Sequence, residues 1–381
     1  MEDIGRIIIV GDFFPVPSNF SKFRDGDISY LMGDRICSLL AEADYRICNL
    51  EGALTDGDGI CEKTGPVVKA PTTTIEAYKK LDINCCCLAN NHITDAGHQG
   101  VIDTMRTLDK ANIQHIGAGE NETTINHYHS FRVADKNVGL YNVCETMYNK
   151  PTKNRAGAFV YDEYIVCREL ETLKKTCDYL IVVYHGGAEK FRYPSPQTRK
   201  RFHRMVDSGA DMILSQHTHC VGSEEYYKGA YLLYGQGNFL FRSFNNEFTD
   251  TGLIIEIDFS DQVYVKRHLV NAVGDTVRYD EKQDFTEFDK RSALVGNEDY
   301  VNDKYQQYCL SELTTYLYAY KSQYWKLGIM RRLFPNYYKK YLMNQAFKRR
   351  DLLMTLHSLR SEQNRETAIC GIEALLRERK I

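Results

Sequence analysis

The chain has 381 residues, 43% hydrophobic and 26% charged, a globular composition that excludes an intrinsically disordered protein. Its net charge of −3 gives no general attraction to nucleic acid, so no nucleic-acid partner is expected. The charge is uneven: residues 321–381 carry 14 Lys+Arg against 5 Asp+Glu, and the remainder carries 34 against 46, which gives the C-terminal part an expected surface or partner of its own.

Residues 7–10 read as a first strand, in Arg6-Ile-Ile-Ile-Val-Gly-Asp12. It begins so early that it leaves no room for a signal peptide, and a cytoplasmic location is expected. Residues 30–43 have helical spacing through Leu31, Ile36, Leu39 and Leu40. A second strand over 45–49 runs into Asn49-Leu50-Glu51, and a loop rich in Gly and Asp fills 52–71. A helix over 72–81 leads to a third strand over 85–89, and then to Asn90-Asn91-His92. Cys85, Cys86 and Cys87 in that strand read as small buried apolar residues. The 12 cysteines include no zinc-finger CxxC pair and read as reduced thiols. A helix over 97–111 and a strand over 114–116 complete a β-α series whose strands belong beneath helices.

A hairpin is expected over 130–134 and 138–143, turning at Asp135-Lys136-Asn137. A helix over 164–176 precedes a strand over 179–184 that carries His185 at its end. A helix over 194–208 precedes a strand over 212–215 that runs into Gln216-His217-Thr218-His219. Strands over 231–234, 252–259 and 262–269 follow, and helices from about 285. The Asp-rich stretch 275–284 marks the expected boundary, giving a domain over 1–278 and a helical extension over 285–381. No apolar run approaches the ~20 residues of a membrane span.

Asp12, Glu51, Asn91 with His92, His185, and His217 with His219 share one position, the C-terminal end of a strand. In open α/β sheets ligands bind at that edge. Taken singly, an Asp there caps a turn and a lone His is ordinary structure. Five strand ends together are a different matter. Carboxylate, amide oxygen and imidazole suit a divalent Mn, Zn, Fe or Mg ion, one or two of them, since a carboxylate can bridge a pair. His217 and His219, two apart on an extended segment, would turn both rings to one ion.

The ordered set resembles the calcineurin-like metallophosphoesterases, and in detail their CapA branch of poly-γ-glutamate and capsule synthesis proteins. The motifs that carry the resemblance are Gly11-Asp12, Asn49-Leu50-Glu51, Ala89-Asn90-Asn91-His92 with Asp95 and Gly97, His185-Gly186-Gly187-Ala188-Glu189, and Gly237-Asn238-Phe239. The family's Gly-His-His-Pro-His is Ser215-Gln216-His217-Thr218-His219 here, departing at Gln216 and Thr218. The resemblance covers about residues 6–260 and implies a four-layer α/β/β/α sandwich, to which the helical extension is added. It implies metal ligands at Asp12, Glu51, Asn91, His185, His217 and His219, with Glu51 as the bridge. His92 would be the general acid or a positive group for developing charge. Asn49, Glu189 and Asn238 would orient ligands or substrate.

The implied activity is metal-dependent hydrolysis of a phosphoester or an amide, on a small molecule or polymer, among other surface-polymer biosynthesis proteins. The alternative is a non-catalytic accessory protein or membrane-surface adaptor of such a system. The adaptor reading rests on residues 321–350, which hold nine Lys+Arg and no Asp or Glu among aromatics such as Trp325, Tyr337 and Tyr341. Cations with amphipathic rings suit a peripheral helix on anionic lipid. Packing of those rings on the main domain, or an acidic polymer or protein on the same surface, are the other readings.

Overall fold

Along strand β1 (Arg6–Phe13), Ile7 and Ile9 point to one face and Ile8 and Val10 to the other, all 1% exposed or less. A strand apolar on both faces has to be covered on both, and the fold follows from that requirement. The structure is a computed structural model that describes residues 5–321, apart from 64, 148, 242–245 and 260–261, together with Leu333.

The strands that follow are β2 (Tyr45–Asn49), β3 (Cys85–Cys87), β4 (Gln114–Ile116), β5 (Tyr128–Val133), β6 (Lys136–Cys144), β7 (Tyr179–His185) and β8 (Met212–Gln216). They continue with β9 (Glu224–Tyr227), β10 (Ala230–Leu233), β11 (Asn238–Leu240), β12 (Thr251–Asp258), β13 (Tyr264–Val273) and β14 (Thr276–Tyr279). The first sheet runs β14-β13-β12-β1-β2-β3-β4, with β11 also paired to β1. The second runs β9-β10-β8-β7-β6-β5. β1 to β4 are parallel, as are β6, β7, β8 and β10.

The sheets face each other through Ile7, Ile9, Ile47, Cys85 and Cys87 on one side and Leu140, Ile181, Val183 and Leu214 on the other. Helices α1 (Phe20–Arg24), α2 (Ile28–Ala41), α3 (Ile75–Lys80) and α4 (Gly97–Lys110) cover the outside of the first sheet through Phe23, Leu31, Ile36, Tyr78, Val101 and Leu108. Helices α5 (Glu163–Leu173) and α6 (Pro196–Asp207) cover the second through Val166, Leu170, Phe202 and Met205. This is the expected four-layer α/β/β/α sandwich. The expected hairpin is β5–β6, in register from Tyr128↔Tyr141 to Val133↔Lys136. The three consecutive cysteines are fully buried, Cys86 against the helices and its neighbours between the sheets.

Some local expectations change. The helix read over 30–43 is kinked, because Gly33 takes φ 72°; the Arg278 side chain donates to the Tyr30 and Leu31 carbonyls freed there. α7 (Thr286–Ser292) places Phe288 in the core between the sheets, and Val295 joins the core under α5 and α6. The compact unit accordingly spans Met1–Tyr305, past the boundary read at 275–284. The other unit, Gln306–Ile381, begins within helix α8 (Glu298–Lys321). The basic aromatic segment 321–350 lies outside the described residues, save for Lys321 and Leu333. Among the described residues no helix is long and apolar enough to cross a membrane.

A buried charge cluster braces the first sheet. Glu256, 3% exposed, accepts from Lys266 at 3.1 Å and pairs with His268 at 2.8 Å and Arg6 at 3.2 Å. The His268 contact leads in lowering its carboxyl to about 2, outweighing burial, with Lys266 and Arg6 adding to the effect. A depressed carboxyl stabilises the fold above its unfolded pKa and loses that stabilisation as pH falls toward the folded value. Glu256→Gln should therefore cost on the order of 2 kcal/mol at pH 7, shrinking steadily between pH 4.5 and 2. Urea unfolding of both proteins at pH 7, 5 and 3 measures this; a penalty that does not change with pH would contradict it.

Candidate metal centre

β1, β2, β3, β7 and β8 end on one rim. Gly11 matters there because its Cβ would stand 2.4 Å from the Gly237 carbonyl oxygen. The close approach lets β11 pair with β1, matching Asp12 to Asn238, at a point where the register of β1 slips. Asn90 ties the second rim segment in place, donating to the Asn49 side chain and the Leu50 carbonyl.

The six expected ligands converge. His185 Nε2 lies 2.8 Å from Asn91 Oδ1 and 3.6 Å from Glu51 Oε1. Its Nδ1 lies 3.3 Å from Asn49 Nδ2 and 4.0 Å from Asp12 Oδ1. His219 Nδ1 is 2.8 Å from Asn238 Oδ1 and 3.3 Å from Asp12 Oδ2, and its Nε2 is 3.9 Å from Glu51 Oε1. Donor atoms of Glu51, His185 and His217 lie within 4.8 Å of one another, and so do those of Asp12, Glu51 and His219. Glu51 is common to both sets, the position a bridging carboxylate takes.

One expectation about this motif is corrected. β8 ends at Gln216, and His217 and His219 are not extended: their φ values are 84° and 52°. Left-handed backbone at both positions sends the two rings to different donor sets instead of one. Gln216 is turned away from the centre, with its Nε2 donating to Gln236 Oε1 at 3.0 Å.

The residues fit a metal. Both Glu51 carboxyl oxygens and His217 Nδ1 are buried without a hydrogen-bond partner, and Asp12 Oδ2 has only the His219 ring beside it. Leaving buried polar atoms unpaired is costly, and divalent ions are what this mixture of donors satisfies.

His92 stands beside the centre. Its Nε2 is 4.0 Å from Glu51 Oε1, and its Nδ1 is 2.7 Å from Asp95 Oδ2. Lys63 bonds the other oxygen of Asp95 and comes within 3.3 Å of His92 Nδ1. Asn49 donates to Asp12 Oδ1 at 2.8 Å, and Asn238 meets His219 as above. Glu189 is half exposed at the rim, 4.0 Å from His217. Sequence reasoning missed Lys63, which lies in the long loop and has no motif to mark it.

The family model described as bacterial capsule synthesis protein PGA_cap matches residues 6–243. The chain belongs to that family. The match includes every candidate ligand of this PGA_cap chain, from Asp12 to His219. Among curated relatives, the capsule biosynthesis protein CapA of Bacillus anthracis is 29% identical over 180 residues, covering 46% of this chain and 44% of that one. The PGA biosynthesis protein CapA of Bacillus subtilis (strain 168) is 29% identical over 172 residues, 44% and 45% of the two chains. A probable polyglutamine synthesis accessory protein of Mycobacterium tuberculosis is 28% identical over 210 residues, 51% and 55%. The chain spans about half the length of the curated relatives it matches. Among solved structures, a phosphatase from Mycoplasma pneumoniae gives a TM-score of 0.45 at 15% identity, covering 76% of this chain and 100% of that one. A 5'-nucleotidase precursor from Thermus thermophilus gives 0.40 at 13% identity, covering 70% and 54%.

Electrostatics in the PGA_cap centre follow from burial and crowding. Burial pushes the Asp12 carboxyl up, but the His219 hydrogen bond and the charges of His185 and His219 outweigh it and hold Asp12 at about 2. Burial and then the Asp12 charge push Glu51 well above the usual range. Burial and neighbouring imidazoles hold His185 and His217 low, in the neutral form that a metal takes. Burial pulls His219 down, yet the Glu51 and Asp12 charges raise it to about 10. Protons held by this crowded cluster would be displaced on metal binding, so affinity should rise with pH.

Elemental analysis after dialysis against Mn should find about two ions per chain. Glu51→Ala should lose both, and His217→Ala should keep the set built on Asp12, Glu51 and His219. Calorimetry between pH 6 and 8 should show proton release and tightening affinity. Absence of stoichiometric metal, or tight binding to Glu51→Ala, would count against the arrangement.

Proposed function

We propose that this chain is a metal-dependent hydrolase of phosphoesters serving the biosynthesis of a capsule, poly-γ-glutamate or another surface polymer. The observation that carries the reading is Glu51, shared by two buried donor sets at a strand-end rim. Divalent ions held there would activate water and neutralise charge on the phosphoryl oxygens. The polymer setting is supported by the names of the relatives, which refer to capsule, PGA and polyglutamine synthesis.

The chain's own residues would do the rest. Hydrolysis places a hydroxyl on phosphorus, breaks the bond to the ester oxygen and leaves that oxygen in need of a proton. His92 is placed to give it: Asp95 holds Nδ1, so Nε2 faces the centre. Lys63 fixes Asp95 from the other side, its side chain 4% exposed. Asn49 and Asn238 hold Asp12 and His219 in register. Burial of Asp12, Asn49, His92, Asp95 and Asn238 keeps bulk water from weakening these interactions.

A panel of phosphomonoesters and phosphodiesters, with an amide panel beside it, tests the reading on Mn-loaded protein. His92→Ala should keep its metal and lose about 10²–10⁴-fold in kcat; Asp95→Asn should lose less. Turnover by His92→Ala at the wild-type rate would remove its role. Full metal loading with no hydrolysis on any panel would leave the accessory role instead.

A further inference from the structure

A cavity of about 650 Å³ opens directly onto the centre, reaching Asn91, His92 and His219. That is the size of a small-molecule site, for which ~300–1,000 Å³ is usual. Its walls are mainly apolar. The apolar lining comes from Phe14 to Pro17, from Pro66 to Val68, and from Met147 and Phe241. Four of these residues are solvent-exposed, Pro17, Pro66, Val67 and Met147, with Val67 at 40% and Met147 at 46%. The apolar surface also continues to the ligands themselves, since the Phe241 ring stacks on His219 with centroids 5.4 Å apart and planes at 11°.

The Pro66–Val68 segment is tied to the His92 side. Asp95 Oδ2 accepts from the Val68 backbone at 2.7 Å while holding His92, and Lys63 bonds the same carboxylate. A group lying against Val67 and Val68 is thus held at a set distance from His92. Among the described residues the lysines lining the cavity are Lys63, Lys69 and Lys190, with Glu189 beside them. Lys63 is taken up by Asp95, and Lys69 by the Gly57 carbonyl at 3.0 Å.

We infer that this cavity is a leaving-group slot, and that the substrate is a phosphoester of an apolar alcohol, with an alkyl or aryl chain next to the phosphorus. The phosphoryl group sits at the centre and the chain lies along the apolar lining. A polyanion with a carboxylate on every unit is a poor occupant, because an apolar lining cannot repay desolvation of those charges. The inference rests on the hydrolase reading for what happens at phosphorus, but the slot itself is a property of the apolar walls.

Calorimetric binding of methyl-, butyl-, hexyl- and octylphosphonate to Mn-loaded and metal-free protein separates the two. Affinity should rise about threefold to fourfold per methylene until the slot is filled. Val67→Asp should flatten that rise while methylphosphonate binds the loaded protein as before; an unchanged thermal transition confirms its fold. A rise of the same steepness in metal-free protein, with no gain on loading, keeps the slot and removes the metal reading. A flat series in both forms overturns the slot, whatever the metal does. So does oligo-γ-glutamate displacing octylphosphonate at equal concentration.

Discussion

The rest of the structure is arranged around one buried carboxyl group. Glu51 is fully buried, neither of its oxygens has a hydrogen-bond partner, and the Asp12 charge lies close by. An isolated carboxylate in such a place costs several kcal/mol, and burial with the Asp12 charge pushes the carboxyl well above its usual range. A structural carboxylate would be given donors, as Glu256 is given Lys266, His268 and Arg6 elsewhere in the same sheet. The contrast between these two buried glutamates separates a group placed for a ligand from a group placed for the fold.

The surrounding frame is stiff for a reason that reads back to the sheet. Gln236 donates to the Ile9 and Leu253 carbonyls at 2.8 and 3.1 Å and accepts from Gln216 at 3.0 Å. Buried amides thus lock β8 of the second sheet to β1 and β12 of the first. Immediately after that lock the chain bends into left-handed backbone at His217 and His219. Each such position costs on the order of 1–3 kcal/mol and survives only where its surroundings fix it. The lock is what does so here, with the Gln216 amide nitrogen donating to Gln236 Oε1.

Long apolar strands made most of the fold legible in the sequence. Ile7 to Val10, Tyr179 to Tyr184 and Met212 to Ser215 could be nothing but buried strands, and the polar residue following each was visible as a rim residue. One short strand that escaped the reading is β11, which has three residues and is a strand only through its pairing with β1 at Asp12. The division of His217 and His219 between two donor sets was also beyond reach, since spacing two assumes extended backbone and the φ values are set by tertiary contacts. Lys63 was hidden for a similar reason. Its partners Asp95 and His92 lie 32 and 29 residues away, and only the fold brings them together.

The donors divide by sheet in a way that ties the chemistry to the architecture. Asp12, Glu51 and Asn91 come from strand ends of the first sheet, while His185, His217 and His219 come from the second. Each three-donor set therefore holds carboxylate from one sheet and imidazole from the other. An ion in either set fastens the two sheets at the rim, where the apolar interface between them gives way to polar side chains. Its binding free energy is then also free energy of holding the sandwich closed, because the donors are not assembled in an unfolded chain. The cavity beside His92 opens at that same rim, and Asp95, which holds His92, also holds the Val68 backbone in its lining. The donor sets, His92 and the apolar cavity thus lie at one junction of two sheets, which is why residues from so many strands meet there.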